Sequence, residues 1–302
     1  MKPIQHRIMF PNRNFRVEIF PFGDVHIGKS NCNESAVKSQ VKEILKRSKM
    51  KDREVRVIFG GDICEYIRPG DVKRFNANAL AEWMFRGSGK DICDRLNNVA
   101  DAQLKRAVQI FEPIKHLAIG AIEGNHEYSM MHYNNVNVHH QFCERMGVPD
   151  LTDESMILFK FSLPNCGGTS IKLYIQHGHG GGRTAGAEAN HLAQLRAEWE
   201  DADVVMRGHS HTFHSIPPKT VMVLPTSGKV IDTLLPRYRH AFNWGCWLNS
   251  HQVGPSTYES RASYPSRAMM TAKVVVWPFY RVQKGGMDRL VPKIELRSYS
   301  IL

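Results

Sequence analysis

The chain has 302 residues, 42% hydrophobic and 23% charged, which is the composition of an ordinary globular protein able to bury one ample core. No apolar run approaches the roughly 18 residues a membrane span needs, and Met1-Lys2-Pro3-Ile4-Gln5-His6-Arg7 lacks the apolar stretch of a secretory signal, so a cytoplasmic enzyme without a membrane partner is expected. The net charge of +11 sits at the two ends: 13 basic against 6 acidic residues in 1–56, 11 against 4 in 227–302, and 16 against 19 between them, a balance that favours polyanions near the termini.

In chain order, residues 15–20 alternate polar and apolar and then turn at Gly23 into Asp24. Pro21 argues that this strand stops just short of the turn. Asn33 can cap a helix whose apolar positions Val37, Val41, Ile44 and Leu45 keep the helical period. Residues 55–59 read as the next strand, leaving through Gly60-Gly61 to Asp62. A helix through Leu104, Val108 and Phe111 leads to a strand over 117–122 that ends near Asn125 and His126. Residues 156–163 and 170–176 flank a turn containing Gly167-Gly168, a hairpin that delivers His177. A helix over 187–199 and a strand over 203–206 lead to His209. Beyond 211 come short β runs, at 221–224 and 273–277. Cys32, Cys64, Cys93, Cys143, Cys166 and Cys246 show no paired spacing and read as reduced thiols.

Five short segments stand at the ends of these runs: Asp24-Val25-His26, Gly60-Gly61-Asp62, Gly124-Asn125-His126-Glu127, His177-Gly178-His179 and Gly208-His209-Ser210-His211. Alternate residues of a strand share a face, so Asp24 and His26 can meet one ion. Carboxylate, amide and imidazole donors suit divalent transition ions, and a carboxylate such as Asp62 can bridge two of them. Such an ion pair is a standard arrangement for attack on phosphate esters.

These segments resemble the signature of the calcineurin-like metallophosphoesterases: D-x-H, G-D, G-N-H-[DE], a lone His after a strand, and G-H-x-H, all filled over residues 24–211. The resemblance implies an α/β fold, a two-sheet sandwich flanked by helices in four αββα layers. It implies a single domain over 1–302, with 65–98 as a cap or substrate-loop insertion and 212–302 completing the second sheet. One ion would take Asp24, His26, Asp62 and His211, the other Asp62, Asn125, His177 and His209. Manganese is the first expectation, with iron, zinc, cobalt or nickel also suited. A hydroxide between the ions would be the nucleophile, and His126 would serve the leaving oxygen as the catalytic acid. Glu127 is expected to orient a neighbour and His179 to line the site, while His132, His139 and His140 are expected at the surface.

The expected activity is hydrolysis of phosphodiesters, with nucleic acid (DNA or RNA) as substrate. Phosphoprotein phosphatases continue G-D into x-x-D-R-G, whereas here Asp62 runs into Ile63-Cys64-Glu65-Tyr66, without that Arg clamp. Segment 65–98 interleaves aromatic and basic residues, among them Arg68, Lys73, Arg74, Trp83 and Phe85, suited to tracking phosphates and stacking bases. Arg183 could meet substrate phosphate. The other reading of 65–98 is a cap burying Leu80, Trp83, Met84 and Phe85. Trp244, Trp247, Tyr258, Arg261, Tyr264 and Arg267 could form a second stacking surface or finish the sheet edge. The alternatives to a nuclease are a phosphoesterase for nucleotides or other small phosphates, and a non-catalytic scaffold of the same fold. The last would ordinarily show missing ligands, and none is missing.

Overall fold

The computed structural model describes residues 1–71, 75–165, 167–180, 184–223, 234–249, 268–282 and 288–301. The alternating run near the N-terminus becomes β2 (Arg16–Phe22), with β3 (Arg53–Phe59) and β4 (Ala118–Ala121) parallel beside it. On its other flank β10 (Met270–Val282) runs antiparallel and is itself covered by β11 (Asp288–Ser300), giving the order β11-β10-β2-β3-β4. The second sheet contains β1 (Ile4–Met9), β5 (Glu154–Leu163), β6 (Gly167–Gln176), β7 (Val204–Arg207), β8 (Phe213–Val223) and β9 (Leu235–Trp244), in the order β1-β5-β6-β7-β9-β8. Residues beyond 212 therefore contribute to both sheets.

Strand alternation sorts the core into layers. Val17, Ile19 and Ile58 point between the sheets and meet Phe159, Leu173, Met206 and Phe242. Phe20, Phe22, Val57 and Phe59 point the other way, under α1 (Glu34–Ser48), α3 (Val99–Phe111) and α5 (Val138–Met146). On the outer face of the six-stranded sheet, α6 (Ala185–Glu198) buries Leu192 and Leu195 against Tyr174 and Val205. The result is the expected four-layer αββα sandwich. Each fully buried Leu or Phe in these layers contributes roughly 1.5–3 kcal/mol of apolar burial.

The Asn33 carboxamide accepts from the Ala36 N–H at 3.0 Å and caps α1, as its position in the sequence suggests. Pro21 does not end its strand: β2 continues to Phe22, in parallel register with Ile58 and Phe59. The strand tolerates it because β10 pairs with β2 only at Val17, Glu18 and Ile19, so that flank is already open where the N–H is missing. In segment 65–98, two short 3-10 turns (Ala77–Ala79, Glu82–Phe85) precede α2 (Gly89–Asn97), which opens with a Ser88–Asp91 capping box. Leu80, Met84 and Val99 form its core with Phe75 and Trp83 packed alongside, whereas Phe85 is 42% exposed.

Candidate metal centre

All five segments emerge at carboxyl ends of strands, where open α/β sheets place their sites. Asp24 and His26 follow β2, Asp62 follows β3, Asn125 opens α4 (Asn125–Asn134) just after β4, His177 follows β6, and His209 and His211 follow β7. Backbone bonds lock two of these exits together: the Val25 and His26 N–H groups both donate to the Asp62 carbonyl, at 2.9 and 3.0 Å. Among the described residues nine non-glycine positions have positive φ, and five of them are Asp24, His26, Asp62, His209 and His211. Left-handed backbone is costly outside glycine, so its concentration on the proposed ligands marks a site where geometry is held against local preference.

The donors fall into two groups that share Asp62. Asp24, His26, Asp62 and His211 form one, and Asp62, His177 and His209 the other, each with ligand atoms within 4.8 Å of one another. In the first, His26 Nε2 lies 3.0 Å from His211 Nε2, and His211 Nε2 lies 3.3 Å from Asp24 Oδ1. In the second, His177 Nε2 is 3.2 Å from Asp62 Oδ2 and 3.1 Å from Asn125 Oδ1, which also faces His209 Nδ1 at 2.7 Å. Asp62 thus stands in both groups, and Asn125 faces the second.

Neighbours fix each ring. His26 Nδ1 donates to Glu65 Oε2 at 2.8 Å, and His177 Nδ1 donates to the Gly60 carbonyl at 2.8 Å. Both leave Nε2 aimed at the shared centre, the usual way a protein orients an imidazole toward a metal. Glu127 receives the N–H groups of Asp62, Ile63 and Gly124, so it holds the Asp62 turn and does not reach the centre, as expected. Asp62 in turn accepts the His126 backbone N–H at 2.9 Å. The His126 ring donates from Nδ1 to the Glu65 carbonyl, leaving Nε2 4.0 Å from Asp62 Oδ2.

Electrostatics agree with a centre built for cations. Burial would raise the Asp62 carboxyl, yet His177 and His126 hold it well below the ordinary range, and Asp24 is likewise lowered by His177 and His211. Burial would lower His177, but Asp62 and Asp24 push it up to about 10. His209, half-buried and facing His177, falls to about 4. His126 is raised because Asp62 and Glu65 outweigh its burial. Glu127, buried beside Asp62, rises to about 7. Two buried carboxylates draw protons onto neighbouring imidazoles, which is where a divalent ion would substitute for the proton. Buried oxygens and ring nitrogens converging within 4.8 Å in each group fit two divalent ions.

Three supporting residues are not evident from the motifs. Trp244, at the end of β9, donates from Nε1 to Asp24 Oδ2 at 2.7 Å. Its indole fills the space beside three motif glycines: a Cβ at Gly23, Gly60 or Gly208 would come within 2.5, 2.6 or 2.2 Å of it. Glu65 orients His26 and lies 3.5 Å from Lys29. Arg207, 3% exposed, donates to the His179 and Gly180 carbonyls and meets His191 Nδ1, so it supports the turn after His177 from below. Gly23, Gly60 and Gly208 carried a signal that something bulky lies against the backbone there. The sequence offered no way to say which ring.

Other expectations change. Trp244 and Trp247 are 1% and 2% exposed, Trp247 stacking on Phe22 at 4.9 Å, so neither forms a stacking surface. Tyr258, Arg261, Tyr264 and Arg267 lie outside the described residues, as do Lys73, Arg74 and Arg183. His139 is buried, not superficial: it faces Asp150 at 3.1 Å, which overcomes burial and raises it to about 10. The reason is helical phase, since α5 turns Val138, His139, Phe142 and Cys143 inward and His140 outward. His132 and His140 are exposed as expected. His179 is exposed, with its carbonyl on Arg207. Arg68 is half-buried and pairs with Asn134 at the end of α4.

The two-sheet sandwich and the order of the donor residues along the chain agree with what the resemblance implies. No family model and no curated protein matches the chain. Among solved structures, similarity is found to a conserved uncharacterized protein of Streptococcus pneumoniae described as a predicted phosphoesterase (13% identity, TM-score 0.33, covering 94% of this chain and 98% of that one). It is found also to Chaetomium thermophilum Vps29 (10% identity, TM-score 0.32, 96% and 100% covered), and to Vps29 complexed with a cyclic peptide (9%, 0.31, 95% and 98%). Likeness this slight carries no argument about activity, and the residues themselves must.

Proposed function

We propose that this protein is a metal-dependent phosphodiesterase whose substrate is a nucleic-acid strand. The carrying observation is the convergence of Asp24, His26, Asp62, Asn125, His177, His209 and His211 from five strand exits, with Asp62 common to both groups. Two divalent ions there would polarise the phosphoryl oxygens and acidify a water. The protein's own part is to set the geometry. Asp62 is held by Glu127 from behind and by the His126 N–H from the side, which leaves Oδ2 for the shared position. His126 is anchored through Nδ1, which leaves Nε2 facing the centre and placed to give a proton to the leaving oxygen.

Two features favour a strand over a small phosphate. The chain carries +11. In addition, α4 presents an aromatic ridge from the same helix that begins with Asn125 and His126: Tyr128 is 55% exposed and stacked on His132 at 5.6 Å, and Tyr133 is 75% exposed. Exposed flat rings beside a phosphate site suit unpaired bases.

The test is a substrate panel with manganese: a chromogenic diester, a chromogenic monoester, nucleotides, and single-stranded DNA and RNA. The proposal expects diester and strand cleavage, abolished by a chelator and restored by manganese. Cleavage confined to monoesters or free nucleotides would move the substrate to small phosphates. Metal binding without hydrolysis of any substrate would make the fold a scaffold.

A further inference from the structure

A third set of donor atoms lies outside the centre described above. His139 and Cys143 are one turn apart on the inward face of α5, 4% and 3% exposed. After the helix ends at Gly147, the chain brings Asp150 back to them and fixes it by a parallel bridge to Ala121 of β4. His139 Nε2 is 3.1 Å from Asp150 Oδ1 and 3.7 Å from Cys143 Sγ, and all three donor atoms lie within 4.8 Å of one another.

Hydrogen bonding accounts for one side of this arrangement: Asp150 Oδ1 accepts from His139 Nε2 and from the Thr152 N–H at 2.9 Å. The Cys143 sulfur stands 3.7 Å from the same ring nitrogen, whose single proton, if shared between carboxylate and sulfur, makes two weak bent bonds. A nucleophilic Cys–His–Asp array would put thiol and carboxylate on opposite ring nitrogens, and here both converge on Nε2. A cation at the point of convergence satisfies all three at once. Zinc bound at about 2.0–2.1 Å to nitrogen and 2.3 Å to sulfur in a tetrahedron separates its ligands by about 3.3–3.6 Å, close to the observed spacings. The Asp150 side chain is about one-third exposed, which leaves a fourth position for water.

We propose that His139, Cys143 and Asp150 form a mononuclear site for a thiophilic divalent ion of the zinc class, separate from the oxygen- and nitrogen-lined centre. Its ligand set differs in kind, because the main centre has no sulfur donor among its residues and this one has Cys143. The ion would tie α5 to β4 through Asp150, and β4 leads directly into the Gly124-Asn125-His126 turn. Its role is thus to brace the scaffold behind the ligand loop.

Cobalt(II) titration of the metal-stripped full chain tests this, because only a thiolate ligand gives a strong near-ultraviolet charge-transfer band. The wild type is expected to show the band with the amplitude of one sulfur-bound cobalt per chain, complete by about three equivalents because the dinuclear centre also takes cobalt, and to lose it on adding zinc. Asp62→Asn should keep the band, and Cys143→Ser should abolish it while retaining wild-type circular dichroism. Should Cys143→Ser fail to fold, Asp150→Asn serves instead, with an expected loss of about tenfold or more in apparent cobalt affinity. A folded wild type without the band would overturn the site and leave an ordinary hydrogen-bonded cluster. A band that survives Cys143→Ser would overturn it equally, assigning the thiolate to another cysteine.

Discussion

At the scale of single residues, the centre depends on groups that never reach the ions. Glu65 supplies His26 with its Nδ1 acceptor and His126 with a carbonyl, so one residue aims both a proposed ligand and the proposed acid. Glu65→Gln should therefore lower metal affinity roughly 10–100-fold, measurable by titration calorimetry, and an unchanged affinity would show that His26 is held by packing alone. His126→Asn separates chemistry from binding. It should retain bound metal but slow diester turnover by roughly two to four orders of magnitude, and near-normal turnover would give the leaving oxygen to another group. Gly208 is committed by shape, because a Cβ there would stand 2.2 Å from the Trp244 ring. Gly208→Ala should displace the indole from Asp24, and the quickest reading is a shift in tryptophan fluorescence together with reduced metal affinity.

At the scale of elements, β2 is pinned by a buried charge. Glu18 is fully buried and accepts from Arg47, Arg53 and Lys273 at 2.6, 3.0 and 3.1 Å, which joins α1, β3 and β10 to the strand that leads to Asp24. Burial opposes its ionisation, but the Arg47 hydrogen bond and the Lys273 charge lower it to about 2. A carboxylate depressed on folding stabilises above its unfolded value near 4.5, and that stabilisation is lost as pH falls toward 2. Glu18→Gln should cost roughly 3–5 kcal/mol in denaturant unfolding at neutral pH and flatten the acid limb of the stability profile. An unchanged acid limb would assign the acid sensitivity elsewhere. The elements most legible in the sequence were those with a period and a stop: α1 with its Asn33 cap, β3 ending at Gly60-Gly61, and the β5–β6 hairpin. β1, α4 and α5 were not legible. β1 is an edge strand defined by its pairing with β5, and α4 begins inside the ligand motif, where Asn125 and His126 look like loop chemistry. α5 is a helix of nine residues whose two inward polar positions, His139 and Cys143, hide its apolar face.

At the scale of the molecule, the ligands were readable because each is tied to a short local pattern, whereas their supports arrive from far along the chain. Trp244 meets Asp24 across 220 positions, and Arg207 reaches the carbonyls of His179 and Gly180, contacts that only the folded sandwich creates. The proposed selection of a nucleic-acid strand belongs to this scale as well, resting on net charge and the α4 ridge. Oligonucleotide affinity should fall with salt at a log–log slope of about 0.7–0.9 per neutralised phosphate. Tyr128→Ala with Tyr133→Ala should weaken strand binding by about 1–3 kcal/mol per lost stack and spare a small chromogenic diester. Equal losses on both substrates would make the ridge structural.

The most direct test of the dinuclear centre is the manganese content of the purified chain after equilibration and removal of free metal, compared with Asp62→Asn. The shared position of Asp62 predicts about two manganese ions per wild-type chain, both weakened together in Asp62→Asn. One ion or none in the folded wild type, or an Asp62→Asn chain that loses a single ion and keeps the other at full affinity, would contradict it.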